Sequence, residues 1–282
     1  MRRPPNPSPT RGAAVVRTVH AEFAMDVDGE AEFLLLLLPA AGHDADETLV
    51  VTVDDEPVSW TERAGRHGTR ELVLTAGPGR LACTFDATIG ERAGAGAEEV
   101  EDVELDRYLA ASRYVEVDEL RDFASERFGR AEGWTAVDAV VRYVARHLEY
   151  DMDRSAIDDG AVATLRKAGG MCRDYAHVVI GLCRALGIPA RYASVYAPAL
   201  QPPDFHAVAE VHLDGGWWVV DATHLAPRGS MVRIATGVDA EETAWATNSG
   251  GWVTLDGLEV EAHDDALPDD AADDPSERIR LA

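Results

Sequence analysis

The chain has 282 residues, 46% of them hydrophobic, which is enough to bury a substantial core across one or two domains. Its 51 acidic residues outnumber 26 basic ones for a net charge of −25. A surface of that sign repels phosphate backbones and anionic membranes, so neither nucleic acid nor a membrane surface is an expected partner.

In chain order, residues 1–12 are proline-rich and basic with little to bury, and are expected to be a flexible tail. No apolar h-region follows, so no secretory signal is read. Residues 13–90 are strand-like and predict a small all-β sandwich. Val15 to Val27 alternates, Phe33 to Leu38 is a buried run, and Thr48 to Val53 alternates again. Asp54 to Pro57 marks a turn, and Glu71 to Thr75 and Arg80 to Thr88 supply further strands. The 33–38 run is far below the roughly 20 residues of a spanning helix, and no integral membrane segment is expected. His20, His43 and His67 read as surface or satisfied histidines, because metal-ligand spacing is missing.

Residues 91–99, rich in glycine and alanine, predict a linker. Beyond it, 100–263 is expected to form one α+β unit. Asp118 is positioned to cap one helix, and Thr135 the next, with Val137, Val141, Val144 and Leu148 along one stripe. A third helix follows Cys172. Tyr175, Val178, Val179, Leu182 and Leu186 keep helical spacing, small or apolar residues fill the opposite face, and Gly187-Ile188-Pro189 supplies the stop. Such a helix is buried on most sides. Residues 264–282 are expected to be an acidic disordered tail.

The cysteines are Cys83, Cys172 and Cys183. The last two fall on one predicted helix about 16 Å apart along its axis, too far for a disulfide. Reduced thiols and a cytoplasmic location fit this usage.

Cys172 opens its helix, where unpaired N–H groups and the macrodipole favour thiolate. Gly169 and Gly170 before it are expected to let a substrate approach the sulfur closely. His206 begins a predicted strand and Asp221 lies on the next. With Asp214-Gly215 as a two-residue hairpin loop, Leu213 pairs with Gly216 and His206 shares a face with Asp221. A three-residue loop would reverse that parity. Cys172, His206 and Asp221 therefore form a candidate nucleophile, base and orienting acid. The oxyanion would be held by the Cys172 backbone N–H and a second donor, for which Tyr150 and Tyr192 are candidates. His177, His212 and His224 are not needed by this chemistry. Trp217 and Trp218 read as core and cleft-wall aromatics.

These residues resemble the transglutaminase-like superfamily, in particular bacterial transglutaminase-like cysteine proteases with an N-terminal β domain. Gly170-Met171-Cys172-Arg173-Asp174-Tyr175-Ala176-His177 is similar to the family's nucleophile segment. Arg184 to Tyr192 and His206-Ala207-Val208-Ala209-Glu210-Val211 match further segments, with Val208 where tryptophan is usual. Trp217, Asp221 and Thr223 match a third, and Val238 stands where an arginine is usual in a segment starting at Val232. The resemblance implies a papain-like core, catalytic Cys172, His206 and Asp221, no cofactor and no metal.

The expected activity is cysteine-dependent acyl transfer at an amide or peptide bond of a peptide or protein substrate. Hydrolysis is favoured over transglutaminase cross-linking because nothing marks a lysine acceptor site. One rival is a non-catalytic peptide-binding or assembly module on the same fold. A metal site from Cys172, His206 and His224 is a weaker one, since no compact ligand pair supports it.

Overall fold

The computed structural model describes residues 16–92, 102–267 and 277–281. The expected tail 1–12 lies outside them, as does the linker apart from residues 91 and 92. The architecture is α+β, with strand-rich layers at the front and a helix-on-sheet core behind. Among the described residues no helix is long and apolar enough to cross a membrane.

The front strands are β1 (Arg17–Asp28), β2 (Ala31–Leu35), β3 (His43–Val53), β4 (Glu56–Pro57), β5 (Trp60–Ala64), β6 (Arg70–Ala76) and β7 (Gly79–Arg92). β1 buries Val19, Ala21, Phe23, Met25 and Val27 on one face and turns the residues between them outward, the period of a half-buried strand. Asp54 and Asp55 join β3 to β4 with φ of 50° and 67°, the left-handed pair that a type I′ turn requires. The 33–38 run is buried apart from half-buried Leu34, and only partly strand. Beyond Leu35 its backbone meets other partners, with Leu36 N donating to Trp245 O at 2.8 Å and Leu37 O accepting from the Tyr196 hydroxyl at 2.8 Å.

The rear elements are α1 (Asp102–Arg107), α2 (Val117–Phe128), α3 (Gly133–His147), β8 (Glu149–Tyr150), α4 (Ala161–Lys167), β9 (Gly169–Gly170), α5 (Cys172–Ala185), β10 (Ala190–Tyr196), β11 (Phe205–Leu213), β12 (Gly216–Val220) and β13 (Val232–Gly237). The last strands are β14 (Ala246–Ser249) and β15 (Trp252–Asp264). Two helices begin earlier than their capping residues suggest. Glu116 and Glu132 take the cap positions, which places Asp118 in the first turn of α2, where the dipole favours a carboxylate.

α5 is the centre of the rear core. Val178, Val179, Ile180 and Leu182 are all buried, each worth about 1.5–3 kcal/mol relative to exposure. One side packs on α2, α3 and α4, the other on β10 and β11. Gly187, at φ 77°, ends the helix as expected, with Ile188 N returning to Cys183 O at 3.0 Å. The sheet behind α5 is antiparallel in the order β12-β11-β10-β13.

Two expectations need correction. Residues 100–263 do not stay together, because β14 pairs with β2 and β15 runs antiparallel along β1 from Asp264 to Trp252. The front sheets are thus β15-β1-β7-β3-β4 and β14-β2-β6-β5, and their shared core takes in Tyr196, Val232 and Ile234 from the rear. The second correction concerns 264–282, whose residues 277–281 dock on the rear sheet. Val219 N donates to Ile279 O at 2.9 Å, along the otherwise open edge of β12. Arg278 forms a two-pronged pair with Asp138 at 2.9 Å, Arg280 lies 4.5 Å over Trp218, and Leu281 is buried. Charged side chains carrying aliphatic stems onto aromatic faces hold this segment despite its polar composition.

Candidate active site

Cys172 is the first residue of α5, and its position is fixed from two directions. Asp174, fully buried, accepts from Met171 N at 2.8 Å and so closes the helix start. The preceding Gly169 and Gly170 form β9, paired in parallel with Glu149 and Tyr150 of β8. Both glycines are buried, and a Cβ on Gly170 would meet the Asp174 carboxylate at 2.6 Å. Their lack of side chains serves this close packing rather than substrate approach. Cys172 remains partly exposed, while Cys83 and Cys183 are buried, and burial pushes both of those thiols up to about 12.

The hairpin register follows Leu213↔Gly216 through Ala209↔Val220. β12 ends one residue before Asp221, whose carboxylate crosses the register to reach His206. His206 Nε2 and Asp221 Oδ2 stand 2.9 Å apart, both buried. Asp221 Oδ1 accepts from Thr223 N and Thr223 Oγ1, each at 2.8 Å. Both carboxylate oxygens are therefore committed, and the side chain has one orientation.

Electrostatics reinforce this geometry. Burial disfavours the imidazolium, but the charge and hydrogen bond of Asp221, joined by Cys172, outweigh it and hold His206 at about 10. Burial likewise opposes ionisation of Asp221, yet His206 and the Thr223 donors keep it below the usual carboxylate range. With Nε2 bound to Asp221, the nitrogen left for the Cys172 sulfur is Nδ1.

Of the two tyrosines considered, both feel the Cys172 sulfur, and Tyr150 is the exposed one. The β8–β9 pairing sets it beside the residue two before Cys172, and Asp151 N donates to Gly170 O at 3.1 Å. Partial burial and the Cys172 sulfur raise its hydroxyl above the ordinary tyrosine value, while the Cys172 backbone N–H acts in the opposite sense. Tyr192 is buried against His177 in the core. His177 itself is enclosed between Tyr114 and Tyr192, accepts from Ala240 N at 3.2 Å, and is driven by burial down to about 3. His212 packs on Trp217, and His224 sits in the loop beyond Asp221. Of the front histidines, His20 meets Asp86 at 2.9 Å and His67 meets Glu104 at 3.1 Å. Among the described residues no three His, Cys, Asp or Glu side chains gather as metal ligands. Trp217 is buried with Arg191 4.1 Å over its ring, whereas Trp218 lies under the docked C-terminal segment.

Sequence reasoning did not reveal Thr223 as the clamp on Asp221, although a hydroxyl two residues after an acid is a recognisable turn signal. It also did not single out Met152 and Ile157, apolar residues with 69% and 79% of their surfaces exposed in the segment after Tyr150. Arg173 ties that segment to the nucleophile helix by donating to Ala156 O at 2.5 Å.

Residues 123–222 match the family model of the transglutaminase-like superfamily. The fold is similar to the crystal structure of a protein from Cytophaga hutchinsonii, provisionally described as a cysteine protease. The two are 30% identical, the match covers 91% of this chain and 93% of that one, and the TM-score is 0.81. The periplasmic domain of TgpA from Pseudomonas aeruginosa is far more distant, at 18% identity over 76% of this chain and 89% of that one, with a TM-score of 0.41. An uncharacterized protein of Mycobacterium leprae is 30% identical over 99 residues, 32% of this chain and 34% of that protein. The chain thus spans about a third of the length of that curated relative. With the family model matched across the nucleophile helix and the hairpin, and a relative similar over nearly the whole length, the chain belongs to the transglutaminase-like superfamily.

Proposed function

We propose that this chain is a cysteine-dependent hydrolase of amide or peptide bonds, with Cys172 as nucleophile, His206 as base and acid, and Asp221 as the residue that orients His206. The observation that carries this reading is the buried 2.9 Å contact between His206 and a doubly anchored Asp221, beside a thiol at the start of a rigid helix. With His206 raised to about 10, the thiol proton rests on Nδ1 before substrate arrives, and the resulting thiolate attacks the carbonyl carbon. The Cys172 backbone N–H and the Tyr150 hydroxyl stabilise the oxyanion. Collapse expels the amine, which leaves with the proton held on His206, and a thioester remains. Water, deprotonated by His206, attacks the thioester, releases the carboxylic acid and restores the thiol.

A peptide segment is the proposed substrate. The exposed ring of Tyr150, which meets Cys172, offers it an apolar surface beside the sulfur. Three unpaired cysteines support a reducing, cytoplasmic setting. The test is alkylation by iodoacetamide near neutral pH, read by peptide mass spectrometry. Rapid, selective modification of Cys172 that is lost in His206→Ala supports the proposal. Modification no faster than that of a free thiol ends it.

A further inference from the structure

We propose that the groove between α2 and α3 is a docking site for an acidic peptide segment of a partner protein. This proposal is separate from the chemistry at Cys172. The groove has a volume of about 670 Å³, within the usual range of ligand pockets, and is lined by Arg127, Phe128, Arg142, Tyr143, Arg146 and His147. In a chain of net charge −25, three arginines line this groove and no carboxylate is among its described lining residues.

The helix dipoles account for part of this arrangement, since Arg127, Arg146 and His147 lie in the last turns of α2 and α3, but not for Arg142. Arg142 and Arg146 are a like-charge pair one turn apart, which costs a helix stability rather than adding to it. Asp138, one turn before Arg142, is taken by Arg278. Arg127 comes from the other helix, its guanidinium 4.4 Å over the Tyr143 ring, and His147 stacks on the same ring at 4.9 Å. The floor is apolar, with Phe128 packed 5.6 Å from Tyr143.

The spacing selects the occupant. Arg142 and Arg146 are about 6 Å apart along the helix axis. Alternate side chains of an extended peptide repeat every 6.6 Å or so. Carboxylates at positions i and i+2 of such a peptide can therefore each meet one guanidinium, leaving a third for Arg127 and the intervening side chain against Tyr143. Polyphosphate chains suit the site less, because the net charge of −25 opposes a long, densely charged anion more than a short peptide.

The test uses full-length protein and a fluorescein-labelled hexapeptide with glutamate at alternate positions, followed by fluorescence anisotropy. Its controls are the same peptide with lysine for glutamate and a labelled oligothymidylate. The expected result is saturable binding of the acidic peptide alone. Affinity should fall with added salt and drop at least about tenfold in Arg142→Glu/Arg146→Glu. Arg127→Ala, on the opposite wall, should also weaken binding, while Cys172→Ala should leave it unchanged. Equal binding by the parent and the double variant, no binding of the acidic peptide, or tighter binding of the oligonucleotide would each overturn the proposal.

Discussion

Replacing Asp221 by asparagine is the most searching perturbation of the site, because the local hydrogen bonds dictate how the amide must sit. Thr223 N can only donate, and it points at the position of Oδ1 from 2.8 Å. The asparagine carbonyl must take that place, which turns its NH2 toward His206 Nε2. Nε2 then has to accept, so the ring proton moves to Nδ1 and faces the sulfur. In that tautomer His206 cannot take up the thiol proton. The charge is lost as well. Asp221 is the principal influence raising His206 from 6.5 to about 10, a preference of about 5 kcal/mol for the protonated ring. Without it, burial alone drives the imidazole neutral. The expected outcome is a fall of about 10²–10⁴-fold in the second-order rate of Cys172 alkylation at pH 7, with far-UV circular dichroism unchanged. A rate within about threefold of the parent would refute the assignment of Asp221 and the tautomer reasoning together.

Tyr150→Phe should lower turnover of an activated peptide amide by about 10–10³-fold while changing Cys172 alkylation little, since only the former passes through an oxyanion. Parallel losses in both assays would remove Tyr150 from that role. Deleting residues 277–282 removes the Asp138 pair, the cover over Trp218 and the buried Leu281. A loss of about 1–3 kcal/mol in stability and a red shift of tryptophan emission are expected, and an unchanged denaturation curve would contradict the docking. His177 provides a pH signature. Its folded-state value, about 3, is below its unfolded one, so its contribution is present above pH 6.5 and is lost as the pH falls toward 3. Urea unfolding should show about 2 kcal/mol lost from this residue between pH 7 and 5, with the slope reduced in His177→Phe. His206 contributes no slope over most of that window, because its folded value lies above 6.5 and its stabilisation is complete below that pH.

What could be read in advance followed physical periodicity. The nucleophile helix carried its own start, stop and buried stripe, and the Asp214-Gly215 turn set a register that leaves Asp221 just past β12, within reach of His206. Much of what stayed hidden consists of backbone pairing with polar side chains. All five residues of β5 are exposed and show no inward face, while β15 alternates at Leu258, Val260 and Ala262 but buries Val260 alone, a short signal far from the strand it joins. Their stability comes from ladders with distant partners, and β15 meets β1 across more than 200 positions of chain. The docked C-terminal residues have the composition of a solvated tail and stay in place through arginine stems on tryptophan faces. Gly169 and Gly170 looked like room for a substrate, but the atom that excludes a side chain at Gly170 is the neighbouring Asp174 carboxylate.

The β1–β15 ladder has a consequence for how this protein could be divided or recombined. A fragment starting at residue 102 would carry β14 and β15 without the strands they zip onto, leaving bare edges that invite association between copies. A single cut within residues 93–101, with nothing removed, should instead leave two pieces that co-purify and can be re-annealed. The strand-rich front is therefore not an interchangeable module, and ancestry or engineering that replaced it would have had to replace the β1–β7 and β14–β15 segments at once.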